Sequence, residues 1–394
     1  MMVSDVVVVG GGVVGLAAAW RSLERGHRVT VLDPRPGDGA SRAAAGMLGA
    51  VSEFAFEEEA LLALSLPAAE RYAQVMADLE RASGMATGYR RSSTLVVASG
   101  ASDRAAGDQL RRRQEELGLS VRPLAPMQAR RLEDLLSPGI AGAFLAESDH
   151  QVDPRRLVSA YLAALEGSAR AVVRPATATA LVWDGPRVCG VLIDGTERIS
   201  AHEVVLATGA STRLGGLPTG LRLPIRPVYG DVLRLRAPAS LTPFLSHVVR
   251  GRVQARAVYL VPRDDGEIVI GASEREDART GVSAGAVLQL LRDAAELVPA
   301  VAELELVETI ARARPGTPDN APLLGRIAPG LIAATGTHRH GVLLSVETAV
   351  AVADLIDGRR ARAEHAAFDP WRFSERTAAR PVTASVRSRS QEES

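Results

Sequence analysis

Lysine is absent from this 394-residue sequence, so all 46 basic residues are arginines, and Cys189 is its single cysteine. Without lysine the chain cannot form a Schiff base through a lysine amine or build a phosphate-binding loop of the Walker type. A single cysteine excludes an intramolecular disulfide, an iron–sulfur cluster held by cysteines and a zinc site with several cysteine ligands.

The sequence also has no excess of either charge and no long apolar run. The 46 basic residues balance 46 acidic residues, so a strong attraction to nucleic acid or acidic lipid is not expected. No uninterrupted apolar run reaches the roughly 18 residues that a membrane-spanning helix needs, and no basic leader precedes the first apolar segment. We therefore expect a cytoplasmic protein with neither a nucleic acid nor a membrane as partner.

What is present is the composition of a globular protein with two domains. Hydrophobic residues make up 46% and charged residues 23% of the chain, and its length exceeds that of one small core. The last segment, from Arg380, is polar and aperiodic, and we predict a disordered tail over 376–394.

The N-terminal segment is typical of a strand, a glycine-rich turn, a helix and a second strand. Asp5–Val9 is an apolar run without alternation, which predicts a buried strand. A helix is predicted over Val13–Arg25, since Gly26 can end it, and the next strand is predicted over His27–Asp33. The first turn has the spacing Gly-x-Gly-x-x-Gly, which is weak evidence alone but strong evidence between a strand and a helix.

That turn, which contains Gly10, Gly12 and Gly15, predicts a site for the ADP half of a dinucleotide. Its glycines let the backbone turn tightly and approach a pyrophosphate, and the following helix offers free N–H groups and the positive end of its dipole. Asp33 ends the second strand, where a carboxylate suits the hydroxyl groups of a ribose. The structural alternative is an ordinary corner with a surface Asp, and the turn alone leaves FAD and NAD open.

Three later stretches favour FAD. The strand in His202–Thr212 ends in Ala-Thr-Gly, and Gly330–Ile356 contains a strand, a turn and a long apolar helix. Such a late return to the nucleotide domain is typical of flavoproteins, in which the flavin ring lies far from its own adenine. The third stretch, "SRAAAGMLGA" (Ser41–Ala50), is small, flexible and apolar, as a plain loop before a helix would also be.

With these segments the sequence resembles the D-amino-acid oxidase superfamily of flavoproteins. Within it, the sequence is most similar to the glycine oxidases that serve thiazole formation in bacterial thiamine synthesis. The resemblance extends to about Phe373. Besides the glycine turn and "SRAAAGMLGA", it rests on "VYLVPR" (Val258–Arg263), "IVIGAS" (Ile268–Ser273), "ARARPGTPDNAPLLG" (Ala311–Gly325) and "GTHRHGVLLS" (Gly336–Ser345).

The resemblance implies an α/β plus α+β fold, in which a Rossmann-like FAD-binding domain is interleaved with an antiparallel-sheet substrate domain. The predicted FAD-binding domain comprises 1–88, 141–223 and 310–375. The predicted substrate-binding domain comprises 89–140 and 224–309.

Sequence patterns within 224–309 agree with an antiparallel sheet. Pro224–Arg236, His247–Pro262 and Glu267–Ser273 are strand-rich, and "RDDGE" between the last two indicates a hairpin turn. Val287–Leu297 has the pattern of a helix.

The resemblance also assigns residues to FAD, which we expect to be bound non-covalently. In relatives with covalent flavin the linking cysteine lies near the C-terminal flavin loop, whereas Cys189 lies in a hairpin-like segment far from it. The predicted cofactor-binding residues are Gly10, Gly12, Val13, Val14, Gly15, Asp33, Pro34, Ser41, Arg42, Gly46, Met47, Leu48, Ala178, Thr208, Gly209, Arg314, His338, Arg339, His340, Gly341, Val342 and Leu343.

Three residues are predicted to act on the substrate. Arg314 is the cation that the resemblance indicates for a substrate carboxylate, since a guanidinium gives a carboxylate two parallel hydrogen bonds. The hydroxyl of Tyr259 could reach the same carboxylate, although the residue could also be an ordinary strand aromatic, and Tyr229 ranks lower. The carbonyl of Arg339 could receive the substrate amine, or its side chain could only brace the loop.

His338 and His340 lie two residues apart in the last turn, where the family usually has an aromatic residue and an Asn. Because no third ligand is evident, loop histidines beside the pocket are a better interpretation than a metal site or a general base. We therefore predict no metal. The departure from the family leaves the polarity of the substrate pocket open.

The implied activity is FAD-dependent oxidative deamination of glycine, other small amines or D-amino acids, by hydride transfer to the flavin. O2 is the expected acceptor, and the imine from glycine would supply thiazole and thiamine synthesis. The alternatives are a D-amino-acid dehydrogenase that passes electrons to quinone, the flavin domain of an RNA-modifying enzyme and an NAD-binding regulatory module. A homo-oligomer is expected, because the family forms tetramers.

Overall fold

The computed structural model describes residues 4–211, 213–277 and 279–374. In these ranges the chain forms two large sheets with helices packed on them. The predicted disordered tail over 376–394 lies outside the described residues. None of the helices in these ranges combines the length and the apolar character that crossing a bilayer requires.

The strands are, in chain order, β1 (Ser4–Val9), β2 (Val29–Leu32), β3 (Met47–Leu48), β4 (Thr94–Ala98), β5 (Arg122–Leu124), β6 (Gly142–Ala146), β7 (His150–Gln151), β8 (Ala171–Arg174), β9 (Ala178–Asp184), β10 (Arg187–Ile193), β11 (Glu197–Leu206), β12 (Arg226–Arg236), β13 (Val248–Val253), β14 (Arg256–Pro262), β15 (Glu267–Gly271), β16 (Glu305–Gly316), β17 (Leu323–Ala328) and β18 (Leu331–Thr335).

The α-helices are α1 (Val13–Glu24), α2 (Ala40–Ala43), α3 (Leu62–Ser83), α4 (Ala101–Glu116), α5 (Pro126–Leu132), α6 (Pro154–Glu166), α7 (Ala284–Leu297) and α8 (Gly341–Ile356). Short 3₁₀ segments are Glu59–Leu61, Ala239–Leu241, Pro299–Glu303, His338–His340 and Ala363–Phe368.

The first sheet contains the parallel βαβ unit that the N-terminal sequence predicts. Its strands follow the order β17–β18–β11–β1–β2–β8, and β1 is parallel to both of its neighbours. Strands β9 and β10 extend the sheet from β11 as an antiparallel hairpin. The apolar run Val6–Val9 is buried within β1, as expected for a strand covered on both faces.

The second sheet is mainly antiparallel and follows the order β16–β12–β15–β14–β13–β4–β6–β5. It contains the strands predicted from the strand-rich segments, and β14 and β15 form the hairpin predicted at "RDDGE". Helix α7 packs against this sheet and starts at Ala284, somewhat before the predicted start at Val287.

Strand β6 departs from the predicted division of the chain. It falls in 141–223, which the sequence assigned to the FAD-binding domain, yet it pairs with β4 and β5 in the second sheet. The physical reason is its apolar side, because Leu145 packs in the same buried cluster as Leu95 and Val97 of β4. The remaining boundaries stay a prediction.

Helix α8 brings the last turn of the chain to the edge of the first sheet. It packs against α1 and α3, and nearly all of its side chains are buried, as expected for a helix surrounded by protein. It follows β18 and the 3₁₀ segment His338–His340. Since β1, β11 and β18 are parallel, their carboxyl ends and the start of α8 meet at one edge, where ligands bind in open α/β sheets.

Candidate active site

A cavity of about 650 Å³ lies between the carboxyl ends of the parallel strands and the second sheet, and its volume is typical of a small-molecule site. It brings together residues from distant parts of the sequence. The predicted site residues that line it are Gly10, Gly12, Val13, Val14, Asp33, Ser41, Gly46, Met47, Thr208, Gly209, Tyr259, Arg314, His338, Arg339, Gly341 and Val342.

Close backbone contacts shape the glycine turn. Gly10 has a φ of +113°, and a Cβ at this position would overlap the carbonyl of Ala207, just after β11. A Cβ at Gly15 would overlap the Gly10 carbonyl, since α1 begins directly against the end of the strand. Both positions therefore need glycine for the fold itself, whether or not a ligand binds.

Gly12 differs from these two, because a Cβ there would meet only the Ser41 hydroxyl, at an ordinary contact distance of 3.5 Å. The fold has room for a side chain at Gly12, and its absence leaves the first turn of α1 open to the cavity. The Val13 N–H donates to Ser41 Oγ at 3.0 Å, and no side chain at the N-cap covers the turn. An open helix N-terminus suits a pyrophosphate.

Asp33 is held at the carboxyl end of β2 by backbone donors. The Gly11 N–H donates to Oδ2 at 2.7 Å, and the Arg35 N–H donates to Oδ1 at 2.8 Å. These contacts fix the carboxylate in the cavity wall beside the glycine turn. Each oxygen has a second lone pair, which leaves acceptors for the hydroxyl groups of a ribose.

Arg314 reaches the opposite part of the cavity from strand β16. Its guanidinium lies over Gly230 of the neighbouring strand β12, where a Cβ would come within 2.5 Å of Nη2. Its Nη1 donates to the Ser273 carbonyl at 3.2 Å, and its side chain forms no ion pair within the described residues. The arrangement presents an uncompensated guanidinium to the cavity, which suits a carboxylate.

Tyr259 lies beside Arg314 on the same face of the second sheet. Burial raises the pKa of the Tyr259 hydroxyl to about 12, although the Arg314 charge acts in the opposite direction. The hydroxyl therefore keeps its proton at neutral pH and can donate a hydrogen bond. Together these two side chains offer donors for one carboxylate.

The Arg339 side chain braces a loop. It pairs with the Glu58 carboxylate and donates to the Glu53 carbonyl at 3.3 Å. Burial acts to raise the pKa of Glu58, but the neighbouring His340 ring and the Arg339 guanidinium outweigh it and bring the pKa to about 2. This geometry matches the bracing alternative for the side chain, while the role of the carbonyl stays a prediction.

His338 lines the cavity as a neutral base. It is 6% exposed, and neither ring nitrogen has a hydrogen-bond partner. Burial, followed by the charges of Arg339 and Arg314, lowers its pKa to about 3. His340 points away, toward Glu58 at 3.9 Å. Within the described residues no group of three or more His, Cys, Asp or Glu side chains is placed to hold a metal ion.

Some predicted cofactor-binding residues do not line this cavity, and their roles stay predictions. Arg42 is exposed and lies 3.8 Å from the Asp38 carboxylate, and Ala178 is buried in the core around β9. The full set outside the cavity wall is Gly15, Pro34, Arg42, Leu48, Ala178, His340 and Leu343.

The cavity wall also contains residues that the sequence did not single out, notably Glu53, Gly230 and Thr337. A glycine inside a strand marks a close approach, so Gly230 carried a usable signal. Glu53 was detectable as the first acid after a long run of small and apolar residues. Tyr229, ranked low from sequence, lines the cavity as well, and the Arg275 guanidinium lies 5.8 Å from its ring centre.

Comparison with known proteins agrees with the cofactor site that the geometry of the cavity indicates. The model of the family described as FAD dependent oxidoreductase, DAO, matches residues 5–355. Glycine oxidase from Geobacillus kaustophilus is 33% identical over 381 residues, which cover 92% of this chain and 96% of that protein. The bifunctional protein ThiO/ThiG from Synechocystis is 33% identical over 97% of this chain, which spans 56% of that longer protein.

The solved structures include the crystal structure of glycine oxidase from Geobacillus kaustophilus. It superposes with a TM-score of 0.85 at 31% identity, and the match covers 94% of this chain and 99% of that one. Iminodiacetate oxidase from Chelativorans sp. BNC1 superposes with a TM-score of 0.80 at 25% identity, covering 93% of this chain and 98% of that one.

Proposed function

The chain belongs to the DAO family of FAD-dependent oxidoreductases, and we propose that within it the protein oxidises glycine and other small amines or D-amino acids. The products are an imine, which water converts to a 2-oxo acid and ammonia, and hydrogen peroxide from O2. The similarity to glycine oxidase supports the substrate class. The similarity to ThiO/ThiG supports a role of the imine in thiazole and thiamine synthesis.

One observation carries the proposal: Arg314 presents a guanidinium without an acidic partner to the cavity, beside the Tyr259 hydroxyl. An amino-acid carboxylate would receive hydrogen bonds from both side chains, which would fix the substrate at its acid end. Met47 and Val232 contribute an apolar part of the pocket surface next to them, which suits the substrate carbon.

FAD is the cofactor of this family, and the cavity residues fit it. The open first turn of α1 at Gly12 would hold the pyrophosphate, and Asp33 would accept from the ribose. Gly341 and Val342, in the first turn of α8, would place a positive dipole end against the flavin. Bound there, FAD would supply the acceptor for a hydride from the substrate carbon.

The chain's own contribution to the reaction is then alignment. Arg314 and Tyr259 hold the carboxylate, so the neighbouring carbon is kept in one orientation. Hydride transfer removes the hydrogen with its electron pair, so no side chain has to take a proton from that carbon. The nitrogen must be a neutral amine at that moment, so a substrate bound as an ammonium gives up one proton before the transfer. The neutral His338 adds a polar surface without a charge at the same wall.

Anaerobic titration of the purified holoprotein tests this function. We expect a flavin absorbance spectrum that bleaches on addition of glycine, sarcosine or D-alanine, and steady peroxide formation when air is admitted. Bleaching by amines with electron transfer to an added quinone but without peroxide would favour the dehydrogenase alternative. A spectrum that none of the three amines bleaches would contradict the proposed function.

A further inference from the structure

One carboxylate in the cavity wall has no partner. Glu53 is 7% exposed and lines the cavity together with Met47 and Tyr259. Its backbone is engaged, since the N–H donates to the Gly49 carbonyl at 3.2 Å and the carbonyl accepts from Arg339. Its side-chain oxygens, however, accept no hydrogen bond and form no ion pair with any residue that the structure describes.

The cations beside Glu53 are engaged elsewhere. Arg339 pairs with Glu58, and Arg250 donates to the Ser52 carbonyl. Burial lowers the pKa of the Arg250 guanidinium, and the charge of Glu53 acts against that lowering, so the two groups influence each other without contact. A buried carboxylate that lacks a direct partner is unfavourable, and a cationic ligand would relieve it.

Glu53 and Arg314 bring opposite charges to the wall of one cavity, which Tyr259 also lines. Burial is the main cause of the raised pKa of Tyr259, the Arg314 charge lowers that pKa, and the Glu53 charge raises it further. Glu53, Tyr259 and Arg314 all line the same cavity. An amino acid in water is a zwitterion whose ammonium and carboxylate groups are separated by one carbon, so a wall with one charge of each sign is complementary to it.

We infer that the Glu53 carboxylate binds the ammonium group of the substrate whose carboxylate Arg314 holds. This inference rests on the proposed function and makes it more specific, because it assigns the recognition of the amine to a named side chain. Gly49 leaves the space for this arrangement, since a Cβ there would come within 2.7 Å of Glu53 Cγ. The site would then select cationic amines over neutral hydroxyl compounds of the same shape.

Glu53→Gln tests the inference, because glutamine has nearly the same shape without the charge. Two ligands are compared in the FAD-loaded protein: glycine, from the concentration dependence of anaerobic flavin reduction, and glycolate, from its perturbation of the flavin spectrum. Glycolate keeps the carboxylate but replaces the ammonium with a hydroxyl. We expect the dissociation constant of glycine to rise by about 30-fold or more and that of glycolate to change by less than about 3-fold.

Glu57→Gln is the matched control, since Glu57 is exposed on the same loop and loses the same charge. It should leave both constants unchanged. Equal weakening of glycine and glycolate in Glu53→Gln, or no change in either, would overturn the inference while the proposed function stood. A wild-type flavin that no amine reduces would overturn the proposed function and the inference with it.

A second variant covers the case in which Glu53→Gln loses FAD. Glu53→Asp keeps the charge on a shorter side chain, so we expect it to retain FAD. The binding of glycine should weaken more than that of glycolate, but the difference should be smaller than in Glu53→Gln. If Glu53→Asp weakens both ligands equally, the carboxylate does not recognise the amine.

Discussion

Arg314 is the residue on which substrate binding should depend most. In Arg314→Ala the charge-assisted hydrogen bonds to the carboxylate are lost, and we expect KM for glycine to rise by about 30-fold or more, from about 2 kcal/mol of lost binding. FAD content should stay near that of the wild type if Arg314 serves the substrate alone, and it should fall if Arg314 also serves the cofactor, as its place among the predicted cofactor-binding residues implies. Steady-state kinetics and the flavin absorbance of the purified variant measure both. Wild-type KM in this variant would show that the carboxylate binds elsewhere.

Gly230 should determine where the Arg314 guanidinium lies, although glycine itself has no side chain. In Gly230→Ala the new Cβ would lie 2.5 Å from Nη2 of Arg314, so the flexible end of that side chain must move. We expect KM for glycine to rise while the free energy of unfolding changes by less than about 1 kcal/mol. Gly107→Ala in α4, where a Cβ meets nothing within 4 Å, is the control and should leave KM unchanged.

His338 should make the protein less stable in acid. Its folded-state pKa is lowered from 6.5 to about 3, so below pH 6.5 the unfolded chain binds a proton that the folded chain does not. Stability is therefore lost as the pH falls, by about 2 kcal/mol at pH 5 from this residue. His338→Phe should reduce the loss between pH 7 and pH 5 by that amount in denaturant unfolding of the FAD-loaded protein.

The exposed His202, changed to Gln, serves as the control for this measurement. Its ring lies at the surface rather than in the cavity, so the acid destabilisation should remain as in the wild type. If His338→Phe and the wild type lose stability in parallel between pH 7 and pH 5, the histidine is protonated in the folded protein as well.

The sequence identified those site residues that lie within a recognisable motif. Arg314 and Tyr259 lie in segments whose pattern is distinctive, and the structure places both in the cavity wall. Glu53 and Gly230 were missed because their local signals, an isolated acid and a glycine within a strand, do not show what lies across the cavity from them. Contact between strands that are far apart in sequence decides that, and no local pattern encodes it.

At the scale of elements, the glycine turn both lets α1 pack against β1 and leaves space for a pyrophosphate. Substitutions at different glycines should separate these two roles. A Cβ at Gly15 would overlap the Gly10 carbonyl, so Gly15→Ala should prevent α1 from packing and leave little folded protein. A Cβ at Gly12 would meet only the Ser41 hydroxyl, so Gly12→Ala should fold within about 1 kcal/mol of the wild type. Since that Cβ enters the proposed pyrophosphate site, we expect FAD occupancy to fall markedly in Gly12→Ala.

In the two purified variants, circular dichroism measures folding and flavin absorbance measures FAD occupancy. The distinction fails if Gly12→Ala binds FAD as tightly as the wild type, which would place the pyrophosphate away from the first turn of α1. It also fails if Gly15→Ala folds normally, since the close approach to the Gly10 carbonyl would then be tolerated.

Element boundaries were predictable where the pattern is local. Strand β1, helix α1 and strand β2 lie within a residue or two of their predicted ranges, because an apolar run, a helical period and a terminal glycine define them. Strand β6 lies in 141–223, which was assigned to the FAD-binding domain, yet it pairs with β4 and β5 in the second sheet. The apolar cluster around Leu95 stabilises that pairing, and it forms only when the sheet assembles.

At the scale of the whole molecule, the cavity exists because the chain leaves the first sheet and returns to it. Strand β16 runs along the second sheet, ends at Gly316 and leads into β17 of the first sheet, so Arg314 lies at the crossing. Sequence patterns alone predicted two kinds of sheet but not how their segments alternate. The resemblance to a known family supplied the alternation, since the order of strands in a sheet depends on long-range pairing.

The same architecture determines whether the flavin should be attached covalently. Cys189, the single cysteine, lies in β10, where its Sγ accepts from Arg198 at 3.2 Å, and it does not line the cavity within the described residues. Because the cavity wall offers no thiol for a covalent link to the flavin, denaturation with acid should release all of the yellow colour into the supernatant. Cys189→Ser should bind the same amount of FAD as the wild type. Colour retained in the protein pellet of the wild type, and lost from that of Cys189→Ser, would show that the hairpin carrying β10 reaches the flavin after all.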